Sequence, residues 1–349
     1  MPDSTHRMIV CRSSAKVNLT LDVVSRREDG YHELQSIVHT IGLWDSLRLD
    51  FRFGETNAND DDLTLQCDEA TLQGDDNLCL KAARLWLKAA REEAARTRNP
   101  AALQQFSGAR MTLSKAIPHG AGLGGGSGNA AATLLAFNKV FGDLLDDARM
   151  HRLALALGAD VPFFLRGGCA LMEGIGENLS ALPAQNAWLL VAQPPVRLST
   201  PRVFKAWDAL GEPSANATSS LKTVLDEVDN ATGKNASKKA SQPHLEAARI
   251  EPDRVMKLAK LLHNDLAPAA HLCGAPVAEL VEILRHGGAL GACMSGSGSA
   301  VFGVYGNQAA AQRAFDSLNS RLLLGDAMIA FLAVVPLCAR GVEFDVASD

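Results

Sequence analysis

The run Pro118-His119-Gly120-Ala121-Gly122-Leu123-Gly124-Gly125-Gly126-Ser127-Gly128-Asn129 constrains this chain more than any other stretch. Six glycines fall within the nine residues from Gly120 to Gly128, between a strand-like Arg110–Leu113 and a helix-like Asn129–Phe141. Glycine lets the backbone take positive φ and lets a ligand come close to main-chain atoms. A helix start adds unpaired N–H groups and the positive end of the helix dipole. Together they predict an anion cradle suited to phosphate, with Ser127 as a hydroxyl contact and Asn129 as the cap of the following helix.

Several phosphate loops can be told apart from here. A Walker A loop needs Gly-Lys-Ser/Thr, and no lysine lies between Lys115 and Lys139. Gly120, Gly122 and Gly125 satisfy G-x-G-x-x-G, which keeps a nicotinamide-dependent oxidoreductase as an alternative. That match is weak: Pro118 and His119 separate the glycines from the strand, and Gly124-Gly125-Gly126 exceeds what a pyrophosphate turn requires. A protein-kinase loop would come with His-Arg-Asp and Asp-Phe-Gly, both absent.

A length of 349 residues exceeds what one core usually serves, so two domains are expected. With 47% hydrophobic and 21% charged residues the chain reads as globular. A net charge of -5 offers no basic field for nucleic acid or an anionic membrane. The seven cysteines are scattered, with no C-x-x-C pair, and read as reduced, mostly buried thiols. Met1–Met8 carries no apolar signal core, and the apolar run Ile329–Ala339 is too short to span a bilayer and contains Pro336. A soluble cytoplasmic protein acting on a small molecule, with no obligate protein partner, is the expectation.

Along the chain, Val17, Leu19, Leu21 and Val23 share one face of a strand, with Lys16, Asn18, Thr20 and Asp22 on the other. His32–Leu49 reads as further strand, Asn57–Asp62 as a polar loop, and Asn77–Ala95 as an amphipathic helix. A helix ending at Leu157 is stopped by Gly158. Trp188–Ala192 reads as a buried strand opening a second domain. Asp229–Ser241 is polar and reads as a solvated, mobile insertion. Helices are expected at Pro252–Leu266, Pro276–Arg285 and Gln308–Leu322, a glycine-rich turn at Gly291–Gly298, and a strand at Ala300–Tyr305.

The glycine run resembles the second motif of the GHMP kinases. Further elements narrow the resemblance to the 4-diphosphocytidyl-2-C-methyl-D-erythritol kinases among them: Ser14-Ala15-Lys16-Val17-Asn18-Leu19, Asp29-Gly30-Tyr31-His32-Glu33-Leu34, Asp76-Asn77-Leu78, Leu157-Gly158-Ala159-Asp160-Val161-Pro162, Glu173-Gly174-Ile175-Gly176-Glu177 and Ser295-Gly296-Ser297-Gly298-Ser299. These run in family order from near the N-terminus to past residue 300. Other kinases of the superfamily, for homoserine or mevalonate, are the nearer alternative. The Tyr31-His32 element argues against both, since neither substrate carries a base to stack.

The resemblance implies an α+β, two-lobed fold: a ribosomal-protein-S5-domain-2-like lobe at 1–176 and a ferredoxin-like lobe at 177–349, with the site between them. It implies transfer of the γ-phosphoryl of ATP, with Mg2+ accompanying the nucleotide, to a tertiary 2-hydroxyl. Asp160 is implied as the carboxylate near the hydroxyl proton and Lys16 as the cation favouring the alkoxide. Asn18, Tyr31, His32 and Phe204 are implied at the cytidylyl substrate, the two aromatic rings stacking on the base and His32 bonding its edge. Asn77, Leu78, Lys115, Pro118, Gly120, Gly122, Leu123, Gly124, Gly125, Gly126, Ser127 and Gly128 are implied at ATP. The chain departs from the pattern at Gly128, where the family usually has a second serine. Any contact made by that hydroxyl is lost or passes to Ser127, and no metal ligand is assigned.

Overall fold

The computed structural model describes residues 6–54, 62–97, 103, 105–211, 216–232, 252–323 and 328–345. Two long strands, β1 (His6–Arg26) and β2 (His32–Phe53), make an antiparallel hairpin turning through Gly30, whose φ is 88°. Register shifts between Ser14 and Ala15, Asn18 and Thr20, and Val23 and Ser25 bend β1 around the molecule. β3 (Asp62–Cys67) leads through a short 3₁₀ turn to α1 (Leu78–Arg96). Asn77 caps α1, its side chain accepting from the Cys79 N–H at 2.8 Å. β4 (Phe106–Ser114) pairs with β2 and lies parallel to β3. Then come α2 (Gly125–Val140), α3 (Asp147–Leu157), α4 (Val161–Arg166), β5 (Cys169–Gly174) and β6 (Asn178–Leu182).

The remainder runs β7 (Trp188–Gln193), α5 (Thr200–Leu210), α6 (Ala217–Thr232), α7 (Pro252–Lys260), β8 (His263–Asn264), α8 (Ala267–Leu272), α9 (Val277–His286), β9 (Gly291–Met294), β10 (Val301–Tyr305), α10 (Gln308–Leu323), β11 (Phe331–Pro336) and β12 (Val342–Phe344). The first sheet is ordered β12-β1-β2-β4-β3, with β5 added to β2, β6 to β5 and β8 to β1. The second is antiparallel, ordered β11-β7-β10-β9. Numbered within itself that is 4-1-3-2, with helices connecting the first strand to the second and the third to the fourth: a ferredoxin-like arrangement. The expected α+β, two-lobed fold is present. The first sheet also recruits β8 and β12 from late in the chain, so the two sheets are interwoven in sequence.

Three apolar clusters hold this together. One packs α1 and α2 on the first sheet around Trp86, Phe51 and Phe137. A second joins the sheets, with Val17, Leu19 and Ile37 of the hairpin against Leu189 and Val191 of β7 and Phe302 of β10. The third fills the second lobe around Leu280, Tyr305 and Ala311. The polar face of β1 is buried too. Lys16 is 4% exposed and Asn18 3%, and Thr20 and Asp22 are wholly enclosed. Asn18 Nδ2 donates to Ser36 Oγ at 2.7 Å, Ser36 Oγ to Thr20 O at 2.6 Å, and Thr218 Oγ1 to Thr20 Oγ1 at 2.9 Å. Asp22 accepts from the Ala217 and Thr218 N–H groups at the start of α6. Buried polar groups need such partners.

Three expected elements differ. Helix α2 starts at Gly125 with Gly124 as its N-cap, so Asn129 is not a cap; it lies buried inside the helix. The helix expected at Pro252–Leu266 stops at Lys260 and gives way to β8, because Asn264 turns its amide onto the Met294 and Gly296 carbonyls. Gly291–Met294 is strand, leaving the turn to Ser295–Ser299. Of the expected insertion, 229–232 close α6 and 233–241 lie outside the described residues, as do 57–61 of the expected loop.

Candidate active site

The glycine loop is built by three left-handed glycines, Gly120, Gly122 and Gly124, with φ of 70°, 77° and 72°. At two of them the neighbours also exclude a side chain. A Cβ on Gly122 would sit 2.3 Å from Ser295 O, and one on Gly124 2.8 Å from Phe164 Cζ and 3.0 Å from Lys16 Cγ. The loop is fastened across the lobes: Ser295 Oγ donates to Gly122 O at 3.0 Å, and Ala300 N–H to Ala121 O at 3.1 Å. Lys16 N–H donates to Leu123 O at 2.9 Å, tying the loop to β1.

Asp45 governs both ends of this loop. The carboxylate is wholly buried and accepts from Lys115 Nζ, from Ala116 N–H at 2.8 Å, from Ile117 N–H at 2.9 Å and from Asn129 Nδ2 at 3.0 Å. Asn129 Oδ1 in turn accepts from Ser13 Oγ at 2.5 Å. A buried carboxylate is tolerated when paired and fully hydrogen-bonded, as here. No pattern marks Asp45 in the sequence; its importance comes from residues 70 or more positions away.

Two hollows meet at the loop. The smaller, about 280 Å³, is lined by Asn77, Leu78, Lys115, Pro118 and the segment Gly120–Ser127. The larger, about 1220 Å³, runs between the lobes past Lys16, Asn18, Asp160, Tyr31, His32 and Phe204. Gly122, Gly124 and Ser127 line both. Helix α2 begins at the junction, so the N–H groups of its first turn face a position where phosphate is favoured.

Beside the loop, Lys16 Nζ lies 3.6 Å from Asp160 Oδ2 and donates to Asn18 Oδ1 at 2.7 Å. Asp160 stands at the N-cap of α4, yet its side chain makes no cap hydrogen bond. Its backbone is in the right-handed helical region, where a capping side chain does not fold back on the helix. The carboxylate is therefore held in the cleft without serving the helix. Farther along, His32 stacks on Phe204 with centroids 4.8 Å apart and meets Trp207 edge-on. Tyr31 is 62% exposed at the same end.

Most of the expected site residues thus converge, but three serve differently. Lys115 lines the smaller hollow with its charge met by Asp45, so it braces the loop rather than presenting a free cation. Asn77 lines that hollow with its amide spent on Cys79 N–H and on Leu72 O, the latter at 2.7 Å. Gly128 lines neither hollow. Its N–H bonds Gly124 O at 2.9 Å, and a Cβ there would lie 2.9 Å from Ser14 O, on the side facing β1. The missing second hydroxyl would therefore have pointed into the packing against β1. Sequence reasoning missed Asp45 and Asp208, and it had Ser295 within a motif but without its bond to the glycine loop. Asp208 was within reach, since it follows Phe204 by one helical turn and shares its face of α5.

Residues 77–168 match the GHMP kinases N terminal domain and residues 245–322 the GHMP kinases C terminal domain. A protein of Caldicellulosiruptor bescii named 4-diphosphocytidyl-2-C-methyl-D-erythritol kinase is 32% identical over 313 residues, covering 88% of this chain and 93% of that one. A crystal structure of 4-(cytidine 5'-diphospho)-2C-methyl-D-erythritol kinase superposes with a TM-score of 0.64 at 31% identity, covering 95% of this chain and 98% of the other. A homoserine kinase from Cytophaga hutchinsonii superposes equally well, TM-score 0.65 over 97% of each chain, but at 15% identity it shares the fold alone. Identity of 32% along 88% of this chain, with both domains of the superfamily matched, leads to one conclusion: this chain belongs to the 4-diphosphocytidyl-2-C-methyl-D-erythritol kinase family of GHMP kinases.

Proposed function

We propose that this protein transfers the γ-phosphoryl group of ATP to the 2-hydroxyl of 4-diphosphocytidyl-2-C-methyl-D-erythritol, a step of non-mevalonate isoprenoid precursor synthesis. The observation that carries this reading is the Lys16–Asp160 pair, 3.6 Å apart beside the loop that both hollows share, with the carboxylate free of any capping duty. The smaller hollow, with the unspent first-turn amides of α2 and glycines that admit no Cβ, fits a nucleotide triphosphate. Leu78 and Pro118 flank its base side, and the segment Gly122–Ser127 receives the phosphates.

Asp160 accepts the proton of the attacking hydroxyl, and Lys16 stabilises the alkoxide that develops. In a loose phosphoryl-transfer transition state, placing the two substrates in line matters as much as the proton. Lys16 is itself held by Asn18, so it meets the hydroxyl in one fixed position. The oxygen donors beside the loop, the Ser127 hydroxyl and the Asp160 carboxylate, suit a hard cation and would hold Mg2+ arriving with ATP, which would there neutralise phosphate charge. Tyr31, His32 and Phe204 receive the cytosine. On this reading residues 1–176 carry the phosphates and 177–349 close over the acceptor, in the cytoplasm, where seven unpaired thiols stay reduced.

An ADP-release assay tests this directly. The cytidylyl methylerythritol is expected to support turnover, with mevalonate and homoserine supporting less than about one-hundredth of it at equal concentration. Turnover with mevalonate or homoserine and none with the cytidylyl compound would overturn the assignment.

A further inference from the structure

The aromatic end of the cleft contains a carboxylate for which phosphoryl transfer has no use. Asp208 lies on α5 and lines the larger hollow, with Oδ1 2.7 Å from Nε2 of His32. A carboxylate oxygen only accepts, so the ring proton sits on Nε2. The other oxygen, Oδ2, lies 3.5 Å from Arg26 Nη1. Arg26 thus takes the carboxylate oxygen that the His32 ring does not use. The orientation of that ring is fixed as well. The ring is 7% exposed, lies flat on Phe204 at an interplanar angle of 19°, and meets Trp207 at 90°. A half-turn would keep the ring plane and both contacts but take Nε2 away from Asp208, so that hydrogen bond fixes which way the ring is turned. Nδ1 has no partner among the described residues.

We propose that Asp208 is a positioning residue that sets which base the enzyme accepts: by holding His32 as the Nε2–H tautomer it leaves Nδ1, which has no protein partner among the described residues, as a lone-pair acceptor for a base in the cleft that His32 lines. An acceptor there pairs with the exocyclic amine of cytosine, a donor, and opposes the carbonyl that uracil carries at the same ring position. Two acceptors brought together in a site shielded from water leave both unsatisfied, which is how a polar pocket rejects a near-isostere. This inference rests on the reading of the acceptor substrate as a cytidylyl compound. The aromatic stack alone would not read the difference, because both pyrimidines present similar faces.

Two measurements test it. In the first, kcat/KM is compared for the cytidylyl methylerythritol and its uridylyl counterpart. The native enzyme is expected to favour the cytidylyl compound by about a hundredfold or more. Asp208→Asn puts an amide where the carboxylate was, and its N–H2 can drive the proton to Nδ1. The preference is then expected to fall by about tenfold or more, through a raised KM for the cytidylyl compound, with KM for ATP and saturated kcat within about twofold of native. An Asp208 that merely supports the fold would instead lower Tm and weaken both compounds alike, and an unchanged ratio would overturn the proposal. In the second, 15N chemical shifts of His32 in the free enzyme report the tautomer. The Nε2–H form is expected in the native protein and its loss in Asp208→Asn; a native Nδ1–H form, or a doubly protonated ring at neutral pH, would equally overturn it. Failure of the native enzyme to phosphorylate either compound would count against the proposed function, while the tautomer measurement still decides the role of Asp208.

Discussion

Asp160 and Lys16 face each other across 3.6 Å, yet the fold uses them unequally. Lys16 is enclosed and hydrogen-bonded, whereas Asp160 remains a third exposed and caps nothing. Asp160→Asn keeps the shape of the side chain and removes its basicity. It is expected to lower kcat by about 10²- to 10⁴-fold while ATP binding, followed by calorimetry, changes little. Lys16→Met is expected to lower kcat comparably; near-native turnover in either variant would remove that residue from the chemistry. Both residues were legible in the sequence because each sits in a dense family motif. The fate of Lys115 was not. Whether a lysine beside a phosphate loop is free or neutralised depends on a distant acid, and nothing around Asp45 announces that it will be buried beneath the loop.

At the scale of elements, α2 shows what a period of 3.6 residues can and cannot reveal. Its existence follows from Ala130, Leu134 and Phe137 on one stripe, but its start does not, because glycine carries no periodicity. The helix begins four residues before Asn129, which frees that side chain to reach Asp45 and Ser13. Gly128 is then a packing residue of the helix face against β1. Gly128→Ala gains helix propensity of about 0.5–1 kcal/mol but drives a Cβ to 2.9 Å from Ser14 O, a clash that costs about 1–3 kcal/mol to relieve. A net loss of about 1 kcal/mol is expected, seen as a lower Tm, with KM for ATP nearly unchanged. A large rise in that KM would return Gly128 to the phosphate site. The end of α7 was hidden for a related reason. The stretch 261–266 keeps an apolar pattern, but Asn264 and Asp265 hydrogen-bond to other strands and hold the chain extended.

For the molecule as a whole, the two lobes could be anticipated from length and from the spacing of motifs, but not their interweaving. Pairing of β8 and β12 with β1 involves partners more than 200 residues apart, and local patterns carry no information about that. Where the sheets join, His39 is wholly buried, its Nδ1–H donating to Thr40 O at 2.9 Å and its Nε2 accepting from Gln185 N–H at 2.9 Å. Burial holds its pKa down at about 4, against an ordinary 6.5. The neutral ring contributes its full stability above pH 6.5. Between 6.5 and 4 the unfolded chain takes up a proton that the folded one refuses, and about 3 kcal/mol is lost over that window. Urea midpoints at pH 7.5 and 4.5 are expected to show a smaller drop for His39→Gln than for the native protein; equal drops would mean that His39 is not the group responsible.

The clamp at Asp45 has a thermodynamic corollary. By holding Lys115, Ala116 and Ile117 on one side and Asn129 on the other, a single carboxylate closes the glycine-rich stretch into a small ring. Such a ring has already surrendered most of the chain entropy that six glycines would otherwise keep. On the proposed function, ATP would meet a rigid receptor there, and its binding should carry a smaller entropic penalty than a loop so rich in glycine would suggest.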